Sequence, residues 1–245
     1  MSLTNLAGLI IVLACAGLML AIFRIGKSQP LSGLRDLPAF GRLRRAIGRS
    51  VEDGSRVHIS LGSASLTSQY SASALAGLTV LEQVARLSSA SDNPPVVTSG
   101  DPALAILSQD ELRAASLPGD FDPLQGRLAG VTPYSYAVGT MPVFRDETVS
   151  AGVLLGSFGP EAGLIADAAE QGRSCLLAGS DALAGQAVLF AAAQDPLIGE
   201  EVFAGGAYLN PGGLHTASLH AQDLLRWAVA GLLILGAILK LAGVL

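Results

Sequence analysis

The sequence predicts an α/β protein: a Rossmann-like, mostly parallel sheet of five to six strands with helices on both faces, flanked by two terminal transmembrane helices. Three observations predict it. Short apolar runs that end at glycine alternate with helical stretches from residue 56 onward. Each end of the chain holds an apolar run about long enough to cross a hydrocarbon core of roughly 30 Å. The chain of 245 residues is 50% hydrophobic and only 14% charged, with a mean hydropathy of +0.50, more apolar than an ordinary soluble domain.

The first apolar run, residues 6–23, carries no charge, and the second, 227–245, carries only Lys240 near its end, where the side chain can snorkel. Met1–Asn5 holds no charged side chain and no convincing A-x-A cleavage site follows the apolar stretch before Arg24, so residues 6–23 read as an uncleaved anchor. Arg24, Lys27, Arg35, Arg42, Arg44, Arg45 and Arg49 follow it, and Arg226 flanks the second run on the same side. By the positive-inside rule the middle of the chain is expected in the cytoplasm, with both termini outside the plasma (inner) membrane. Residues 24–49 hold seven basic residues and one acidic, whereas 52–223 hold 19 acidic and six basic. The acidic part excludes nucleic acid as a natural partner. Cys15 and Cys175 are too few for a disulfide framework, and Cys175 in an apolar run reads as a core residue.

Five segments follow: a span at 5–23, a basic linker at 24–54, an α/β domain at 55–213, a juxtamembrane helix at 214–226 and a span at 227–245. In the linker, Phe40, Leu43, Ile47 and Val51 repeat at helical spacing, with Arg42, Arg45 and Arg49 largely on the other face. We expect a helix lying on the inner leaflet, with these three arginines on anionic lipid headgroups; a helix packed on the domain is the alternative. Strands are expected to start near 57, 95, 126, 150 and 174, with "DPLIG" (195–199) as a sixth. Helices are expected over 70–88, 102–117, 134–144, 161–171 and 181–193. A last helix after residues 211–213 is expected to run unbroken into the second span.

The strings "SDNPPVVTSGDP" (91–102), "GSFGPEAGLI" (156–165), "IGEEVFAGGAYL" (198–209) and "HAQDLLRW" (220–227) carry a resemblance. Through them the chain resembles an uncharacterised bacterial family of membrane-anchored proteins with a domain of unknown function between terminal transmembrane helices. The resemblance implies that architecture and brings no catalytic residues.

In an open α/β sheet, ligands bind beyond the carboxyl ends of the strands. That edge offers Ser63, Ser99, Asp101, Gly156, Ser157, Gly159, Glu161, Ser180 and Asp181 as a candidate crevice, with helix N-termini behind it for a phosphate or carboxylate. The competing reading is local: Asp101-Pro102, Thr132-Pro133 and Gly159-Pro160-Glu161 are also what helix starts require. Asp101, Glu161 and Asp181 would hold a hard cation only if their strands were neighbours. No cofactor is specified: GxxxxGK[ST], GxGxxG and G-x-S-x-G are all absent, and His215 and His220 are not at i, i+4. The leading expectation is a non-enzymatic, membrane-anchored scaffold or assembly subunit, self-associating into a homo-oligomer, to which small-xxx-small pairs such as Gly17 and Ala21 in the first span are suited. The alternatives are a binding module or enzyme for a small anionic metabolite using the crevice, and an accessory subunit of a larger membrane complex.

Overall fold

The computed structural model describes residues 3–28, 35–68, 71–119, 121–210 and 214–242. Expectations for Tyr70 and for residues 211–213 lie outside them. Two compact units result: the globular unit Arg35–Asn210, and a unit of terminal helices. In the latter, α1 (Leu3–Ser28) packs against α9 (Leu214–Leu241). Both helices are long and apolar enough to cross a membrane. The expected continuity of the last helix into the second apolar run is seen, because no proline interrupts 214–241.

The globular unit begins with α2 (Pro38–Asp53), then β1 (Arg56–Gly62), α3 (Ser71–Leu87), β2 (Val96–Ser99), α4 (Pro102–Ala115), β3 (Gly126–Leu128), α5 (Pro133–Asp146) and β4 (Val149–Ser157). It continues through α6 (Ala162–Gln171), β5 (Cys175–Ser180), α7 (Leu183–Ala192), β6 (Asp195–Leu197) and α8 (Glu201–Leu209). All strand pairs are parallel, in the order β3-β2-β1-β4-β5-β6. Alternation along the strands builds two cores. Val57, Ile59 and Leu61 of β1 join Val153 and Leu155 of β4 under α2, α3 and α8. Leu154, Leu176 and Ala178 on the other face join Tyr136, Phe144 and Ile165 of α5 and α6.

Helix starts follow local chemistry. Asp101 Oδ1 accepts from the Ala103 and Leu104 amides, and Thr132 and Ser135 form a reciprocal cap before Pro133. Helix α8 has no counterpart in the sequence reading. Its "EVFAGGAYL" places Val202, Ala204, Gly205, Gly206, Ala207 and Leu209 in the interior, an apolar content too continuous to show a helical period.

The surface-helix expectation for 38–51 is corrected. Phe40, Leu43, Ala46 and Ile47 of α2 lie in the core of the globular unit, so no apolar face remains for a leaflet. The helical period is seen, and of the two expected placements the core shows the helix packed on the domain, because periodicity reports a buried face without saying what buries it. Arg42 is engaged within the globular unit: its guanidinium binds the buried carboxylate of Asp195 on β6, with Nε 2.9 Å from Oδ1. Arg44 donates to the Tyr208 and Leu209 carbonyls at the end of α8. Of the three arginines expected on lipid, Arg45 and Arg49 are exposed and form no ion pair with the described residues. Tyr208 stacks on Phe40 at 4.8 Å and its hydroxyl donates to the Arg35 carbonyl at 2.7 Å. The first and last residues of the globular unit are thereby held side by side.

Candidate functional site

The strand order reverses between β1 and β4: from β1 the chain moves to β2 and β3, and from β4 to β5 and β6. At such a switch point the loops diverge and leave a crevice at the carboxyl edge. A cleft of about 580 Å³ opens there, walled by the loops after β1, β4 and β5 and by the start of α5. Ser63, Ser65, Tyr134, Ser157, Gly159 and Glu161 are its main polar and backbone surfaces, with Phe158 at its floor.

Four of the nine predicted crevice residues reach this cleft: Ser63, Ser157, Gly159 and Glu161. The other five serve the scaffold or stand beside it. Ser99 Oγ donates to the Asp101 carbonyl, and Asp101 is a helix cap. Ser180 Oγ donates to the Phe158 carbonyl and accepts from the Phe158 and Ala182 amides, stapling two loops together. Asp181 has a buried Oδ1 without a partner and does not line the cleft. Gly156 is needed by the sheet: a Cβ there would overlap the Leu61 carbonyl on β1. Gly156→Ala is therefore expected to destabilise the globular unit by roughly 1–3 kcal/mol through overpacking, read as a lowered midpoint in chemical unfolding. An unchanged midpoint would contradict that packing role. The cleft also takes in Ser65, Tyr134 and Phe158, which lie in the loops expected at the carboxyl edge, and Ser68, which carries no motif.

The anion reading of the loops weakens on inspection. The Ser63 amide donates to the Ser157 carbonyl at 3.2 Å, the Phe158 amide to Ser180 Oγ at 3.0 Å and the Gly159 amide to Glu161 Oε1 at 2.7 Å. The amides an anion would need are thus occupied. Glu161, only 3% exposed, puts the protein's own carboxylate at the start of α6, where the helix dipole favours negative charge. No lysine or arginine lines the cleft. The hydroxyls of Ser63 and Ser157 make no hydrogen bond to described residues. Among the described residues no three His, Cys, Asp or Glu side chains come close enough to hold a metal, and β1 separates the strands that precede Asp101 and Glu161.

Beneath the cleft, on the α5 face of β1, lies a buried polar cluster. The Tyr136 hydroxyl bonds with Ser60 Oγ, donates to the Thr98 carbonyl at 3.2 Å and accepts from the Gly62 amide at 3.3 Å. Burial pushes the Tyr136 phenol up, only partly offset by these bonds. His58 Nε2 lies 2.9 Å from Thr98 Oγ1, while Nδ1 has no partner and the ring meets Phe144 edge-on at 4.7 Å. Burial, with a smaller contribution from the Arg127 charge, lowers the His58 pKa to about 3. Burial likewise raises the Cys175 thiol, which keeps it protonated and unsuited to nucleophilic attack.

A family model described as a domain of unknown function (DUF6754) matches residues 1–245. The chain belongs to the DUF6754 family. No curated protein and no solved structure matches it. The DUF6754 domain thus combines a six-stranded parallel sheet, two apolar terminal helices and a switch-point cleft lined by two hydroxyls without a partner among the described residues and by a buried carboxylate that accepts from the Gly159 amide. Such a set accepts hydrogen bonds from a ligand and repels anions.

Proposed function

We propose that this protein is a membrane-tethered binding module that holds a small hydroxyl- or amino-bearing molecule at the carboxyl edge of its sheet. The observation that carries the reading is the β1/β4 cleft with Glu161 buried in its wall and the Ser63 and Ser157 hydroxyls open beside it. The ligand class changes accordingly from the anionic metabolite of the sequence reading to a donor-bearing, non-anionic molecule. In this reading the terminal helices are the anchors, the basic residues from Arg24 to Arg49 hold the globular unit in the cytoplasm, and both termini face outward across the plasma (inner) membrane. Arg45 and Arg49 meet anionic headgroups as an electrostatic surface, without insertion.

The test is release analysis on the purified full-length protein. A small molecule is expected near one equivalent, and Ser157→Leu and Glu161→Gln should each lower its occupancy about tenfold, as loss of a roughly 1.4 kcal/mol contact implies. Absence of any bound or bindable polar molecule, or wild-type occupancy in both variants, sinks the reading.

A second reading, self-association of a scaffold, rests on α7. This helix carries no charged residue, and Leu183 and Phe190 are 82% and 67% exposed. Monomers rarely leave such a surface open. A second copy is the proposed occupant, since two spans hold every copy in one plane and raise its local concentration. Leu183→Lys with Phe190→Glu should reduce the mass measured in mild detergent to that of one chain. A wild-type protein that is already monomeric would remove this reading.

A further inference from the structure

The cleft at the β1/β4 switch point is tied together from below. Tyr136 is fully buried and its hydroxyl accepts from the Gly62 amide at 3.3 Å, which fixes the start of α5 to the end of β1. The Ser63 amide donates to the Ser157 carbonyl at 3.2 Å, which fixes the end of β1 to the end of β4. Ser180 holds Phe158 in the floor. Walls fixed in this way need no reordering when a ligand arrives. Three lining side chains have no partner among the described residues: the hydroxyls of Ser63 and Ser157, and Tyr134.

Tyr134 is the informative one, because its side chain is accessible and its backbone is not free to move. The residue is 62% exposed. Pro133 precedes it in the first turn of α5, and a reciprocal cap closes around it. The Ser135 amide donates to Thr132 Oγ1 at 3.3 Å and the Thr132 amide to Ser135 Oγ at 3.0 Å. The other described tyrosines are consumed by the fold: Tyr136 lies against Phe158 and Tyr208 stacks on Phe40. A ring held open on a cleft wall presents a flat apolar face with a polar tip. Ala64, Pro133, Pro160 and Ala182 extend that apolar wall.

The wall disfavours ions of both signs. No lysine or arginine lines it for an anion. Glu161 is 3% exposed with Oε1 on the Gly159 amide, so it repels an anion yet offers too little surface to hold an ammonium group. A flat heteroaromatic base would need fixed donors and acceptors at its edge, and the Ser63, Phe158 and Gly159 amides are bonded within the protein. Serine hydroxyls rotate and both donate and accept, which matches hydroxyls on a ligand.

We propose that the cleft binds a neutral sugar ring, with the C–H face of the ring on Tyr134 and its hydroxyls exchanging hydrogen bonds with Ser63 and Ser157. The assignment rests on the reading of the cleft as a binding site and narrows its ligand to carbohydrate. Tyr134 is the specificity-determining residue: its face favours a ring with a flat C–H side over an open-chain polyol with the same hydroxyls.

The experiment is saturation-transfer NMR on the full-length protein in a polyoxyethylene detergent, which has no sugar headgroup. The probes are the methyl glycosides of glucose, galactose, mannose and N-acetylglucosamine, with D-glucitol as the open-chain polyol and adenosine and 1,4-diaminobutane as non-sugar ligands. At least one glycoside should bind saturably, with the C–H protons of one ring face taking up most of the saturation. Tyr134→Ala and Tyr134→Leu should each weaken that binding about tenfold, and Tyr134→Phe by no more than about twofold, all three at the wild-type Tm. Binding of none of the glycosides, equal binding of D-glucitol, or wild-type affinity in Tyr134→Leu would overturn the proposal. If adenosine or 1,4-diaminobutane binds instead and Ser157→Leu abolishes it, the cleft remains a binding site and the sugar assignment falls. If no probe and no co-purified molecule depends on Ser157, both fall together.

Discussion

Acidification below about pH 6.5 is expected to destabilise the globular unit through His58 at up to roughly 1.4 kcal/mol per pH unit. The ring is fully buried, and its pKa falls to about 3 in the folded chain against an ordinary 6.5. Between those values the unfolded chain binds a proton that the folded chain refuses. The contribution of His58 is therefore fully present above pH 6.5, shrinks as pH falls, and levels off near pH 3. A proton on Nδ1 would find the Phe144 ring beside it and no acceptor. Denaturant titrations at half-unit pH steps measure the slope. His58→Gln, which stays neutral, should flatten the acid limb by about one proton while leaving stability at pH 8 much less affected. Identical acid limbs in the two proteins would show that His58 is solvated or partnered in the folded state.

Leu43→Ala is expected to cost the globular unit about 2–5 kcal/mol, the usual price of a leucine-sized cavity. Leu43 is 1% exposed and sits among Phe40, Ile47 and the β1 and β4 side chains. The loss should be the same in neutral detergent and in bilayers with or without anionic lipid, because the residue faces protein. A helix resting on the leaflet would behave otherwise: Leu43→Ala would change lipid affinity and leave domain unfolding alone. The paired variant Arg45→Gln with Arg49→Gln supplies the reverse signature. It should leave unfolding unchanged and weaken association with anionic lipid.

The sheet class was legible because strands buried on both faces must be apolar throughout, and glycines mark where five of them stop or turn. Even the short sixth strand in "DPLIG" was visible. Strand order was not legible. Side-chain alternation says which face a residue takes, never which strand lies beside it, so the switch point between β1 and β4 had to be seen. The site divides the same way. Ser157, Gly159 and Glu161 sit on a loop whose composition marks it, whereas Ser180 shares that composition and is spent on tying the loop down. Gly156 looked like a ligand-approach glycine, and the closest thing it meets is the neighbouring strand.

The clasp joining Arg35 to Tyr208, with Arg44 across the end of α8, has a mechanical meaning. A tensile load that enters the globular unit at one end and leaves at the other passes through this short bridge and not through the β-ladder. The six strands are out of the line of force. Stretching the ends apart would strip α2 from α8 first, as a fuse, while the sheet and the cleft at its edge keep their shape.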